Sequence, residues 1–130
     1  MFDVDFFKQY NDTYGHQKGD FVLSSIGKKL QEICQRSTDI PFRIGGEEFA
    51  VIFHPHDEEC AVEFAEYIRN EIESLHIEHK HNKASSFITV SIGLYTAVGQ
   101  EVKSDKEIYL LADSALYEAK SLGRNQTIKV

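Results

Sequence analysis

The apolar positions of this chain switch between two periods, and the switches mark its elements. Phe2 to Val4 reads as the end of a strand, and Phe6 to Tyr14 as a short helix closed by Gly15. Val22, Leu23, Ile26, Leu30 and Ile33 then recur at helical spacing and give one apolar face. This predicts a long helix starting at Asp20, whose short acidic side chain suits an N-cap. Ile40 to Ile44 and Phe49 to Phe53 are apolar runs on either side of Gly45-Gly46-Glu47-Glu48, the pattern of a glycine-turned hairpin. Asp57 is placed to cap a second long helix, whose apolar positions Ala61, Ala65, Ile68, Ile72 and Leu75 step by four and three.

Residues 76–85 are polar and rich in His and Lys, which predicts a loop. Phe87 to Leu94 reads as a strand, with Ile88, Val90, Ile92 and Leu94 alternating onto one face. Ser104 and Glu107 form a capping box for a third long helix with a buried face of Ile108, Leu111, Ala112, Ala115 and Ala119. Gly123 stands where a helix-terminating glycine belongs, and Thr127 to Val130 predicts a last short strand. Strands and helices in this mixed order, with one central hairpin, imply an α+β fold. Its expected architecture is ferredoxin-like, a largely antiparallel sheet flanked by helices.

Length and charge narrow the function. The chain has 130 residues, enough for one domain, with 14 Lys+Arg against 21 Asp+Glu and a net charge of −7. An acidic balance argues against a nucleic-acid polymer as partner and against adhesion to anionic membrane. It leaves room for a phosphate-bearing ligand, because a divalent cation bridges carboxylates and phosphates. Cys34 and Cys60 form no C-x-x-C pair, so a disulfide scaffold is not expected and a reducing cytoplasm is the default. No apolar run reaches the roughly 20 residues of a membrane span.

Several clusters carry candidate chemistry. Asp3 and Asp5, two apart on a strand, share a face; they suit either a cation or a solvated strand end. The glycines of Gly45-Gly46-Glu47-Glu48 admit close approach of a ligand, and the paired carboxylates offer oxygens to a hard cation such as Mg²⁺; alone, the segment reads sooner as an exposed acidic turn, which is common. Gly15 and Gly19 flank a loop expected to lead into the helix capped by Asp20. Lys120 and Arg124 complement a helix C-terminus, and their spacing around Gly123 also suits a phosphate clamp. Arg36 and Asp39 read as a helix-end cation with a local ion pair. His76, His79 and His81 read as a solvated loop rather than a zinc site, as do His54 and His56.

The order of these segments is more specific than any one of them. Asp3-Val4-Asp5-Phe6-Phe7-Lys8, Asn11-Asp12, Gly15-His16, Gly19-Asp20, Arg43-Ile44-Gly45-Gly46-Glu47-Glu48-Phe49, Ala119-Lys120 and Gly123-Arg124-Asn125 together resemble the GGDEF domain of diguanylate cyclases, in its Gly-Gly-Glu-Glu-Phe variant. The resemblance implies a nucleotidyl-cyclase-palm-like sheet and the condensation of two GTP into cyclic di-GMP, with release of pyrophosphate, in a two-fold homodimer. It implies Mg²⁺, with Mn²⁺ as an alternative, held by Asp3, Glu47 and the Val4 carbonyl, with Glu48 beside it. Asn11 and Asp20 then read the guanine edge, and Lys8, Lys120 and Arg124 contact phosphates. Glu47, Glu48 and Lys8 are the implied catalytic groups. Arg36 and Asp39 match the family's inhibitory site for cyclic di-GMP. The family usually carries a helix and a phosphate-binding loop ahead of the first strand. The chain is therefore expected to be a domain lacking that segment, cytoplasmic, from a parent protein that is free to be membrane-anchored. A cyclic di-GMP-binding regulatory module with impaired catalysis is the alternative reading.

Overall fold

The computed structural model describes residues 1–97 and 103–130. Its elements are β1 (Phe2–Val4), α1 (Phe7–Tyr14), α2 (His16–Ile33), β2 (Ile40–Gly45), β3 (Glu48–Ile52), α3 (Glu58–Glu73), β4 (Val90–Leu94), α4 (Asp105–Ser121) and β5 (Thr127–Lys129). The five strands form one sheet in the order β2-β3-β1-β4-β5. All neighbours are antiparallel except β4 and β5, which run parallel. The expected α+β architecture is therefore present.

The sheet has two unlike faces. Phe2 and Val4 of β1, Phe49 of β3, and Ile88, Val90, Ile92 and Leu94 in and before β4 join one apolar core. That core is completed by Val22, Ile26 and Leu30 of α2 and by Ala61, Ala65, Ile68 and Ile72 of α3. Side chains alternate along a strand, so Asp3, Glu48, Ser91 and Gly93 fall on the opposite face. There α4 packs closely. A Cβ on Gly93 would lie 2.1 Å from the Ala112 carbonyl oxygen and 2.4 Å from the Leu116 nitrogen, so glycine is what lets the helix sit down on the sheet. Short Ala112, Ala115 and Ala119 line the buried side of α4 for the same reason.

The capping at Asp57, Ser104 and Gly123 is as the sequence implies. Asp57 accepts from the Cys60 N–H at 2.8 Å, and Ser104 with Glu107 closes a reciprocal capping box. Gly123 follows the C-cap of α4 with a φ of 122°.

Four local expectations are corrected. Helix α2 starts at His16, not Asp20: Gly15 has a φ of 88°, which ends α1 and starts α2 within one residue. Asp20 is thus an exposed residue inside the helix rather than its N-cap, and Gly19 is helical. On α4 the buried face takes Leu116, whereas Ile108 in the first turns is 38% exposed. Strand β4 begins at Val90, preceded by an isolated bridge between Glu78 and Phe87. His79 is fully buried rather than solvated: its Nε2 lies 3.0 Å from the Phe6 carbonyl oxygen, across 73 residues of chain.

Candidate functional site

The site grows from the middle strand. β1 carries an acid, Asp3, at its middle position, on the face turned away from the apolar core. Asp3 pairs in register with Glu48 on one side and Ser91 on the other. Two carboxylates directly opposite each other on one face repel. The next residues of both strands stay in contact, since the Val4 N–H donates to the Glu47 carbonyl oxygen at 3.3 Å. The hairpin therefore delivers Glu47 and Glu48 to the end of β1.

Asp3 is 7% exposed, and burial pushes its carboxyl up to about 6. Lys120 of α4, with its Nζ 3.0 Å from Asp3 Oδ2, works against that rise. The negative charges of Glu47 and Glu48 add to it. The donor set is hard oxygen, which suits Mg²⁺, and the local charge calls for a cation. With Lys120 neutralising one of the three carboxylates, the negative charge and hard oxygens that remain suit a divalent ion. Among the described residues no group of three or more His, Cys, Asp or Glu side chains is arranged to hold a metal ion.

The hairpin tip is fixed by Arg43, which carries no role in the sequence reading. Gly46 has a φ of 53°, and the Arg43 guanidinium donates through Nε at 2.9 Å and through Nη2 to its carbonyl oxygen. The strand register shifts between Arg43 and Gly45, which aims the tip.

Arg43 also lines a groove of about 480 Å³ between α2 and the hairpin, whose other walls include Asp20, Ser24, Gly27, Phe42 and Phe49. Asn11 of α1 lies against Gly19 of α2. The Asn11 Oδ1 is buried without a hydrogen-bond partner, and a Cβ on Gly19 would lie 1.9 Å from it. An orphaned amide oxygen is the kind of group an N–H donor satisfies. Lys8 is exposed on the first turn of α1.

The other cationic candidates gather after α4. The Arg124 N–H donates to the Ala119 carbonyl oxygen at 3.0 Å and Arg124 Nη1 to that of Lys120 at 3.3 Å. Its guanidinium carbon lies 4.3 Å above the centre of the Phe6 ring. The structure thus joins Asp3, Val4, Glu47, Glu48, Lys120 and Arg124 around one strand end. Arg36 and Asp39 form a separate exposed turn beyond α2, where the Arg36 N–H meets Asp39 Oδ2 at 3.3 Å.

Comparison with known proteins identifies the family. Residues 1–126 match the family model described as diguanylate cyclase, GGDEF domain. The chain is 41% identical over 126 residues to diguanylate cyclase A of Treponema denticola, covering 97% of this chain and 33% of that protein. Its fold matches the GGDEF domain of DgcB from Caulobacter crescentus in complex with c-di-GMP, with a TM-score of 0.83 and 32% identity, over 98% of this chain and 74% of that one. It also matches the active GGEEF domain of a diguanylate cyclase from Vibrio cholerae, with a TM-score of 0.78 and 33% identity, over 98% and 78%. The fold and site define a palm-like α+β domain with an acidic strand end. The chain belongs to the GGDEF family of diguanylate cyclases. It spans about a third of the length of the curated relatives it matches. Among the described residues no helix is long and apolar enough to cross a membrane.

Proposed function

We propose that this domain condenses two GTP molecules into cyclic di-GMP, acting with Mg²⁺ across a two-fold dimer. The observation that carries the reading is the meeting of Asp3, Glu47 and Glu48 with the Lys120 ammonium at the end of β1. Asp3, Glu47, Glu48 and the Val4 carbonyl hold the metal. When bound, it neutralises phosphate charge and makes the 3′-hydroxyl of the ribose more acidic. Asn11 and Asp20 bind the guanine edge: the free Asn11 amide oxygen and the Asp20 carboxylate both accept N–H groups.

Lys8, Lys120 and Arg124 bind the phosphates. The 3′-oxygen of one GTP attacks the α-phosphorus of the other, and the bond from that phosphorus to the bridging oxygen of the β-phosphate breaks. Pyrophosphate leaves with that oxygen, while the hydroxyl proton passes to the carboxylates of the hairpin tip. The same step with the roles exchanged closes the ring and releases a second pyrophosphate. Each subunit holds one GTP, so two facing half-sites supply both nucleophiles. The work is positioning and charge neutralisation, which is what phosphoryl transfer chiefly requires.

The Arg36–Asp39 turn is proposed as an inhibitory product site. Its guanidinium forks onto phosphate or guanine acceptors, and its carboxylate accepts guanine N–H groups.

Calorimetric titration with GTP tests the nucleotide reading. The acidic strand end repels a triphosphate, so affinity depends steeply on added Mg²⁺. Metal-independent affinity contradicts the site as drawn. Unchanged cyclic di-GMP affinity in Arg36→Ala contradicts the inhibitory turn.

A further inference from the structure

Asp5 is 1% exposed and lies two residues beyond the acid of the candidate metal site, yet it faces no cation of that site. Its carboxylate is consumed by three donors. Thr89 Oγ1 donates to Oδ2 at 2.8 Å, Ser91 Oγ to Oδ1 at 2.6 Å and the Asn125 backbone N–H to Oδ2 at 3.1 Å. The first two belong to the segment that leads into and forms β4. The third belongs to the turn after α4, 120 residues away in sequence.

That turn is unusual in conformation. Gly123, Arg124 and Asn125 have φ values of 122°, 67° and 46°, so two consecutive side-chain-bearing residues are left-handed. Such residues persist where the surroundings over-determine them. Here the surroundings do so from several sides. Asp5 holds the Asn125 N–H. Arg69 Nη1 donates to Asn125 Oδ1 at 2.8 Å, and Asn125 Nδ2 donates to Glu73 Oε2 at 3.1 Å. The Phe6 ring lies under the Arg124 guanidinium. Phe6 itself is left-handed, with a φ of 55°, and its carbonyl oxygen is held by buried His79.

We infer that Asp5 and Phe6 are positioning residues for the triphosphate: they clamp the left-handed 123–125 turn and so aim Arg124, and through it the end of α4 that carries Lys120, at the phosphates. This rests on the nucleotide reading above. Asp5 grips the turn's backbone while Phe6 stacks on its guanidinium, so the dipeptide ties the acidic strand end to the cationic turn. A buried carboxylate so placed serves the site without touching the ligand.

The test compares Asp5→Asn and Phe6→Leu with the unaltered protein. Asparagine keeps the shape but replaces a charged acceptor, and leucine keeps apolar bulk but removes the ring face. Two quantities are read: hydrogen exchange of the Asn125 amide, and affinity for GTP against guanosine with Mg²⁺ present. Asp5→Asn is expected to speed exchange at Asn125. Both variants are expected to weaken GTP binding by about 10-fold, the scale of a lost outer-shell partner, with guanosine affinity unchanged because α1 and α2 read the base. Equal losses for GTP and guanosine indicate a merely structural role and overturn the inference. So does unchanged GTP affinity in Phe6→Leu, which keeps the test alive if Asp5→Asn fails to fold. If the unaltered protein binds no GTP, the nucleotide reading itself is overturned, a result distinct from either.

Discussion

Lys120 Nζ lies 3.0 Å from Asp3 Oδ2, joining the last helix to the first strand where Glu47 and Glu48 also bear on Asp3. The ion pair is only partly shielded, with side-chain exposures of 30% and 10%. Its removal leaves Asp3 facing Glu47 and Glu48 alone. Lys120→Met is expected to cost about 1–2 kcal/mol, between the values for exposed and buried pairs. Thermal melts with and without Mg²⁺ check this, and the metal should stabilise the variant more than the parent. An unchanged melting temperature contradicts the pairing.

Gly19 of α2 packs against Asn11 and Phe7 of α1. A methyl group there collides with the Asn11 amide oxygen, so either the helices part or Asn11 turns away. Gly19→Ala is expected to cost about 1–3 kcal/mol, as overpacking does. Guanosine affinity should fall with it. Denaturant melts and calorimetry together separate this outcome from a neutral helix-stabilising substitution.

Arg43 grips the carbonyl of Gly46 from an exposed position. Arg43→Ala should therefore leave stability within about 0.5 kcal/mol, as surface substitutions do, yet lower turnover by loosening the tip that carries Glu47 and Glu48. Steady-state kinetics beside a melting curve distinguish the two effects. Turnover equal to the parent's contradicts a positioning role for this guanidinium.

His79 gives the fold an acid sensitivity. Burial holds its imidazole below the ordinary value of 6.5, with His81 adding to the depression while the Phe6 carbonyl and Asp5 act against it. The unfolded chain then binds a proton at a higher pH than the folded one, so stability is complete above 6.5 and is lost as pH falls below it. His79→Gln should flatten that part of the stability–pH curve, measured by urea melts at stepped pH. A slope unchanged by the substitution contradicts the assignment.

What the sequence disclosed followed the range of the interactions. The caps at Asp57, Ser104 and Gly123 are local, and their residues announce them. The alternation of Ile88 to Leu94 marked the core face of β4. Gly19 was misread because a glycine kept for close helix packing looks like a loop glycine until its neighbour Asn11 is in place. His79 sat in a polar stretch, and only its contact with Phe6, 73 residues away, makes it core. Asp5, which its spacing from Asp3 offers as a cation ligand or a solvated strand end, is instead buried beyond β1 under Thr89, Ser91 and the Asn125 backbone N–H, and Arg43 holds the Gly46 carbonyl; no periodicity reveals these partners. The order of motifs along the chain pointed to the acids of the site, and the sheet register explains why Asp3 and Glu48 meet.

The most direct measurement of the central claim is product formation. The protein is incubated with GTP and Mg²⁺ beside a Glu47→Ala variant, and the nucleotides are separated by chromatography. The account predicts cyclic di-GMP with two equivalents of pyrophosphate from the unaltered protein, and none once Glu47 is replaced. Product from the Glu47→Ala variant, or tight cyclic di-GMP binding with no product from the unaltered protein, would contradict it.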